Sequence, residues 1–111
     1  MELPVVNHPD YVAKINDDNK FPIKKFGALA EHLIKEGVVK KFYIPQECST
    51  ETLKKSHSLE YINHIRNKTL DIKLQKKIGF PINDSVVRRS FVATGGTVLA
   101  SKLALDSKLA C

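Results

Sequence analysis

The longest regular hydrophobic pattern in the chain begins just after Asn83. From Val86 onward, Val87, Phe91, Thr94, Val98 and Leu105 recur mostly at three- and four-residue intervals, which is helical spacing. Val92, Leu99 and Leu103 make the opposite side apolar as well. A helix that is apolar nearly all round is buried on more than one side. Asn83, Asp84 and Ser85 are all competent N-caps, so the pattern predicts one unbroken helix from near Asp84 to about Leu105. Its middle carries Gly95-Gly96, and each glycine costs about 0.8–1 kcal/mol relative to alanine in a helix interior. A buried helix that tolerates this cost twice has another segment packed closely against it. Ile78-Gly79-Phe80-Pro81 ahead of the helix reads as a loop, because Pro81 biases Phe80 toward extended backbone.

Upstream the patterns are shorter. Phe26, Leu29, Ala30, Leu33 and Ile34 follow an i, i+3, i+4, i+7, i+8 series, with Pro22 suited to the first turn and Gly37 to the stop. The polar face holds Lys24, Lys25, Glu31, His32, Lys35 and Glu36. Ser49 or Thr50 can cap a short helix through Leu53 and Lys55, and Ser58 can cap a second with a Leu59, Ile62, Ile65 stripe. Thr69 or Asp71 can start a third toward Lys77. Leu3-Pro4-Val5-Val6 reads as the first strand of a sheet, while Val39, Phe42, Tyr43 and Ile44 belong to a run too brief to separate strand from loop. No linker divides the chain, so residues 1–111 read as one unit.

Composition narrows the classes. The 111 residues are 42% hydrophobic and 27% charged, typical of globular chains. No apolar run approaches the ~18–20 residues that span a membrane, and Met1-Glu2-Leu3-Pro4 does not open a signal peptide. Cys48 and Cys111 are far apart and form no CxxC, so a reduced, cytoplasmic chain is expected. The net charge of +6 is spread over scattered lysine pairs, with a single arginine pair, Arg88-Arg89. Without an arginine-rich arm or interleaved aromatics, these charges read as solvated helix faces rather than a specific nucleic-acid surface.

Several blocks together carry a resemblance. They are Asn7-His8-Pro9-Asp10-Tyr11, Lys20-Phe21-Pro22-Ile23-Lys24-Lys25-Phe26-Gly27, His57-Ser58-Leu59-Glu60-Tyr61-Ile62 and Ile78-Gly79-Phe80-Pro81. Arg88-Arg89-Ser90 and Gly95-Gly96-Thr97-Val98-Leu99-Ala100 complete the series. In order and spacing the chain resembles the N-terminal part of the histone deacetylase family, within the arginase/deacetylase superfamily, and most of all its class IV and bacterial members. The resemblance implies an α/β fold: an incomplete, N-terminal fragment of a parallel-sheet domain, mostly helical in this piece. It also implies a zinc-dependent amidohydrolase that removes acyl groups from lysine or a similar amine. By their places in the motifs, Lys20, Phe21 and Pro22 would lie on one rim of the substrate channel and Phe80 and Pro81 on another. Lys24 falls near where the family often has a basic residue beneath the active site. The family's adjacent histidines, its Asp-x-His pair and its further zinc-binding Asp have no counterpart here.

A search for chemistry in the residues themselves finds no catalytic set. The four histidines are His8, His32, His57 and His64, none with a carboxylate or cysteine at ligand spacing. His57 and His64 are seven residues apart, about 10.5 Å of rise on a continuous helix, too far for both to reach one zinc at about 2.0–2.1 Å. No Gly-x-Ser-x-Gly elbow occurs. No catalytic residue, metal ligand or cofactor is therefore assigned to this chain, zinc being a property of the intact family. Three readings stand: an inactive piece of a deacetylase-like enzyme, one half of a split enzyme completed by a second chain with the metal ligands, or a small basic helical binding module.

Overall fold

The computed structural model describes residues 2–111, which form a 3₁₀ turn, Pro9–Tyr11, and five helices. These are α1 (Lys25–Lys35), α2 (Thr50–Leu53), α3 (Leu59–Arg66), α4 (Ile72–Ile78) and α5 (Asp84–Ser107). Side-chain caps set most of the starts. Ser49 Oγ accepts from Thr52 N–H at 3.2 Å, and Ser58 Oγ from Tyr61 N–H at 3.1 Å. Asp71 Oδ1 accepts from Lys73 N–H and Asn83 Oδ1 from Val86 N–H, each at 2.9 Å. Each bond satisfies one of the donors that a helix N-terminus leaves unpaired. α1 lacks such a cap. Gly37 and Gly79, at φ 72° and 83°, turn the chain out of α1 and α4 through the left-handed region.

The expected parallel sheet is not formed by the described residues. Residues 3–6 make one isolated parallel bridge, Val6 with Tyr43. Asn7 N–H donates to Tyr43 O at 3.1 Å, and Tyr43 N–H to Val5 O at 2.9 Å. On the other side of the same segment, Val6 N–H donates to Cys111 O at 2.7 Å, and Cys111 N–H to Pro4 O at 2.9 Å. A strand requires successive pairs, and here pairing stops after one residue on each side. Pro4 and Pro45 have no N–H to extend a ladder, and Pro9 turns the chain into the 3₁₀ turn. The described chain is helical with irregular connections. This corrects the α/β assignment and, with it, the arginase/deacetylase fold.

α5 is the spine, and it contributes to two separate hydrophobic clusters. Phe91 joins buried Cys48, Leu53 and Ile62, with Ile65, Val87 and Val98 packed around them. Val86 joins buried Ala13 and Ile23, surrounded by Phe21, Phe26, Phe80, Ile82 and others. The two central glycines are buried and face different neighbours. A Cβ on Gly95 would lie 1.9 Å from Gln46 O, where Cys48 N–H reaches into the helix to donate to Phe91 O at 2.9 Å. A Cβ on Gly96 would lie 1.9 Å from Tyr11 Oη. The close approach that the sequence predicts is therefore present on two faces of one helix.

The molecule is thin. Its extents are 46 × 34 × 17 Å and its radius of gyration is 15.5 Å, against about 13 Å for a compact domain of this length. Its accessible surface is 8029 Å², against about 6,200 Å² for a folded monomer of this mass. Among the described residues ten hydrophobic side chains are buried and thirteen large ones are exposed, so the apolar faces outrun the core. α1 illustrates this: its periodicity is strong, yet Leu29 is 57% exposed and no α1 residue is buried.

Alanine substitutions at the two glycines should separate backbone from side-chain neighbours. Gly95→Ala should destabilise the chain by about 1–3 kcal/mol, because a carbonyl and a loop backbone cannot retreat far. Gly96→Ala should cost less, since the Tyr11 hydroxyl end can swing away and alanine regains about 1 kcal/mol of helix propensity. Urea unfolding of both variants checks the order; a Gly95→Ala variant as stable as the parent would refute the close approach.

Candidate functional site

The first cluster of functional interest forms where the segment before α1 meets the segment before α5. Phe21 and Phe80 touch edge-on, with ring centres 5.4 Å apart, and Phe26 lies 6.0 Å from Phe21. Asn19 ties the two segments: its Nδ2 donates to Gly79 O at 3.2 Å, and its Oδ1 accepts from Phe21 N–H at 3.0 Å. The structure thus brings together two of the residues that the resemblance places at a channel rim. Lys20, Pro22 and Pro81 lie nearby in sequence but are exposed.

Two cations lean on the same rings. Arg89 lies 5.6 and 5.2 Å from the centres of Phe21 and Phe26, and Lys25 lies 5.3 and 5.2 Å from them. Stacking of this kind is favourable but modest. Arg89 Nε also donates to Tyr11 O at 2.7 Å. Burial pulls the Arg89 pKa down, with the neighbouring Tyr11 opposing it. Burial likewise raises the Tyr11 phenol, and Arg89 works in the opposite direction.

An open groove of about 320 Å³ separates the two hydrophobic clusters. Ile23, Phe80 and Val86 line it from one cluster, and Leu53, Ile62 and Phe91 from the other. Its polar lining includes Arg89, His57 and Tyr61, and the last two have ring centres 5.7 Å apart. An apolar recess with a few convergent polar groups is the usual form of a small-molecule site. Sequence reasoning did not single out Arg89. The available signal was its position three residues before Val92 and seven before Gly96, on a buried side of α5.

The histidines are dispersed. His8 Nδ1 accepts from Asp10 N–H at 2.9 Å and caps the 3₁₀ turn. His64 Nδ1 bonds Thr69 Oγ1 at 2.8 Å, with Glu60 3.7 Å from its Nε2. His32 is exposed on α1. Among the described residues no three His, Cys, Asp or Glu side chains gather as a metal site. Lys24 is exposed and pairs with Asp17 at 2.8 Å, which lowers the Asp17 pKa chiefly through that hydrogen bond. Arg88 joins Asp10 and Glu47, each at 3.0 Å, and these bonds raise its pKa. It links the 3₁₀ turn and the 46–48 loop to α5 rather than facing the groove. No described helix is long and apolar enough to cross a membrane.

No family model matches the chain. A protein of Picosynechococcus sp., described only as uncharacterized, is similar to it, with 40% identity over 113 aligned residues. That match takes in the whole of this chain but 38% of the relative, so the chain spans well under half the length of the protein it resembles.

The raised Tyr11 pKa makes a pH dependence testable. A phenol whose folded pKa exceeds its unfolded value stabilises the fold below that range and loses the contribution as pH rises through it. Stability should therefore fall as pH climbs through the usual tyrosine range, about 9 to 11. Tyr11→Phe should flatten that fall, as read from thermal melts across the pH series. An unchanged slope would mean that Tyr11 is not held neutral by its packing.

Proposed function

We propose that this chain is the non-catalytic, N-terminal portion of a larger zinc-dependent amidohydrolase of the deacetylase kind, inactive by itself. The observation that carries the reading is the ordered series of blocks from Asn7-His8-Pro9 to Gly95-Gly96-Thr97. The contact of Phe21 with Phe80 supports it, since the resemblance assigns both to the rim of one channel. The longer relative is consistent with it, because residues beyond those matched could supply zinc ligands and a proton-transferring histidine. In the intact enzyme zinc would polarise the acyl amide and activate water. This chain's share would be to shape the channel rim and the packing beneath it.

The exposed apolar residues favour completion by further residues, in the same chain or in a second polypeptide. The free thiols Cys48, buried, and Cys111, exposed, support a reducing, cytoplasmic setting.

Purified alone with added zinc, the 111-residue chain should neither retain stoichiometric metal nor release acetate from an acetyl-lysine peptide. The full-length Picosynechococcus relative should do both, with turnover lost on chelation. Tight stoichiometric zinc and turnover in the short chain would overturn the non-catalytic role. A full-length relative that binds no zinc and cleaves no acyl amide would overturn the amidohydrolase reading.

A further inference from the structure

The groove between the clusters carries an inference that is independent of the amidohydrolase reading. Arg89 and Lys25 bear on one aromatic pair, yet neither is paired with a carboxylate among the described residues. The acids nearby are already engaged, Asp17 by Lys24 and both Asp10 and Glu47 by Arg88. Arg89 spends Nε on Tyr11 O, and among the described residues its terminal nitrogens have no protein acceptor. Partial burial disfavours the charged guanidinium of Arg89, and the ring faces offset only part of that. An anion at the Arg89 end would relieve that cost. The rest of the groove is walled by aliphatic and aromatic side chains, which favour an alkyl body over a hydrated one.

We infer that this groove binds a small aliphatic monocarboxylate, its head group on Arg89 and its chain lying between the two hydrophobic clusters toward Leu53 and Ile62. The remaining edge of the guanidinium fork suits the planar, two-oxygen geometry of a carboxylate. The space of about 320 Å³ lies at the small end of ligand sites, which run from about 300 Å³ upward. That size fits one short alkyl chain. His57 and Tyr61 form a polar limit on the other cluster's side of the groove.

The test is titration of the full chain with octanoate, octan-1-ol and octylammonium, followed by calorimetry and by amide chemical shifts. Octanoate should bind about tenfold tighter than octan-1-ol, the ratio expected of one charge-assisted hydrogen-bonded contact. Octylammonium should bind more weakly than the alcohol. The shifts should centre on Phe80, Val86, Val87 and Phe91. Arg89→Met should abolish the preference for acid over alcohol. Because Arg89 also holds Tyr11 O, Arg89→Lys serves as the second variant: it keeps a positive charge but loses the planar fork, and it should weaken octanoate while leaving octan-1-ol unchanged. Added salt should weaken octanoate and leave octan-1-ol unchanged. Equal affinity for acid and alcohol, shifts lying outside the groove, or a folded Arg89→Met variant that keeps the acid preference would each overturn the assignment.

Discussion

The structure depends on how closely the 46–48 loop can approach α5. At Gly95 there is no side chain, so Gln46 O occupies the place a Cβ would take. Cys48 N–H can then share the Phe91 carbonyl, and Cys48 itself enters the cluster with Leu53, Ile62 and Phe91. α2 follows directly from that loop, with Ser49 as its cap, so the contact at one glycine sets where α2 and α3 lie. One residue later, on a different face, Gly96 admits the Tyr11 ring, and Arg89 holds the Tyr11 carbonyl. Arg88 spans the two contacts through Glu47 and Asp10. Adjacent glycines on a helix point about 100° apart at 3.6 residues per turn, which is why two segments can dock at the same level without colliding.

This arrangement divides the hydrophobic material instead of concentrating it. Each cluster has few fully buried members, and α5 is the element common to both. The space between them is left as the groove, and the outer faces of α1 and α4 keep Leu29, Ile34, Ile72 and Leu74 in contact with solvent. A chain with so much unburied apolar surface has an incentive to place it against something else. The accessible surface accordingly exceeds that of a compact domain of this mass.

Much of the local structure was legible in the sequence because its causes are local. Ser49, Ser58, Asp71 and Asn83 each cap the helix their position predicts, and α5 runs from Asp84 to Ser107 where the periodicity places it. The glycine pair announced close packing because its propensity cost had to be offset. What was not legible depends on partners. Residues 3–6 have strand-like composition, but a strand is a property of pairing, and these residues find one bridge. α1 has a regular apolar stripe, but periodicity reports the face available for burial and not whether anything covers it. At the candidate site, Phe21 and Phe80 were assigned to a channel rim from the motifs, whereas Arg89, though part of one of the blocks, was assigned no role. A charge read as a solvated helix face becomes notable only once its ring partners, brought from more than sixty positions away, are in place.

The backbone bonds between residues 4–6 and Cys111 set the order in which the chain can assemble. They close a loop that takes in almost the entire polypeptide, whereas the helix caps and the α2 to α3 contact close loops of a few residues. Closure entropy grows only slowly with loop length, but long-range contacts of this kind form after the local ones have shortened the search. With solvent beside them and a single residue pair to hold them, they are also the contacts with the least to lose by opening. Long in range and exposed at Cys111, the contact of residue 111 with residues 4–6 is expected to close after the local contacts of the spine and to open before them.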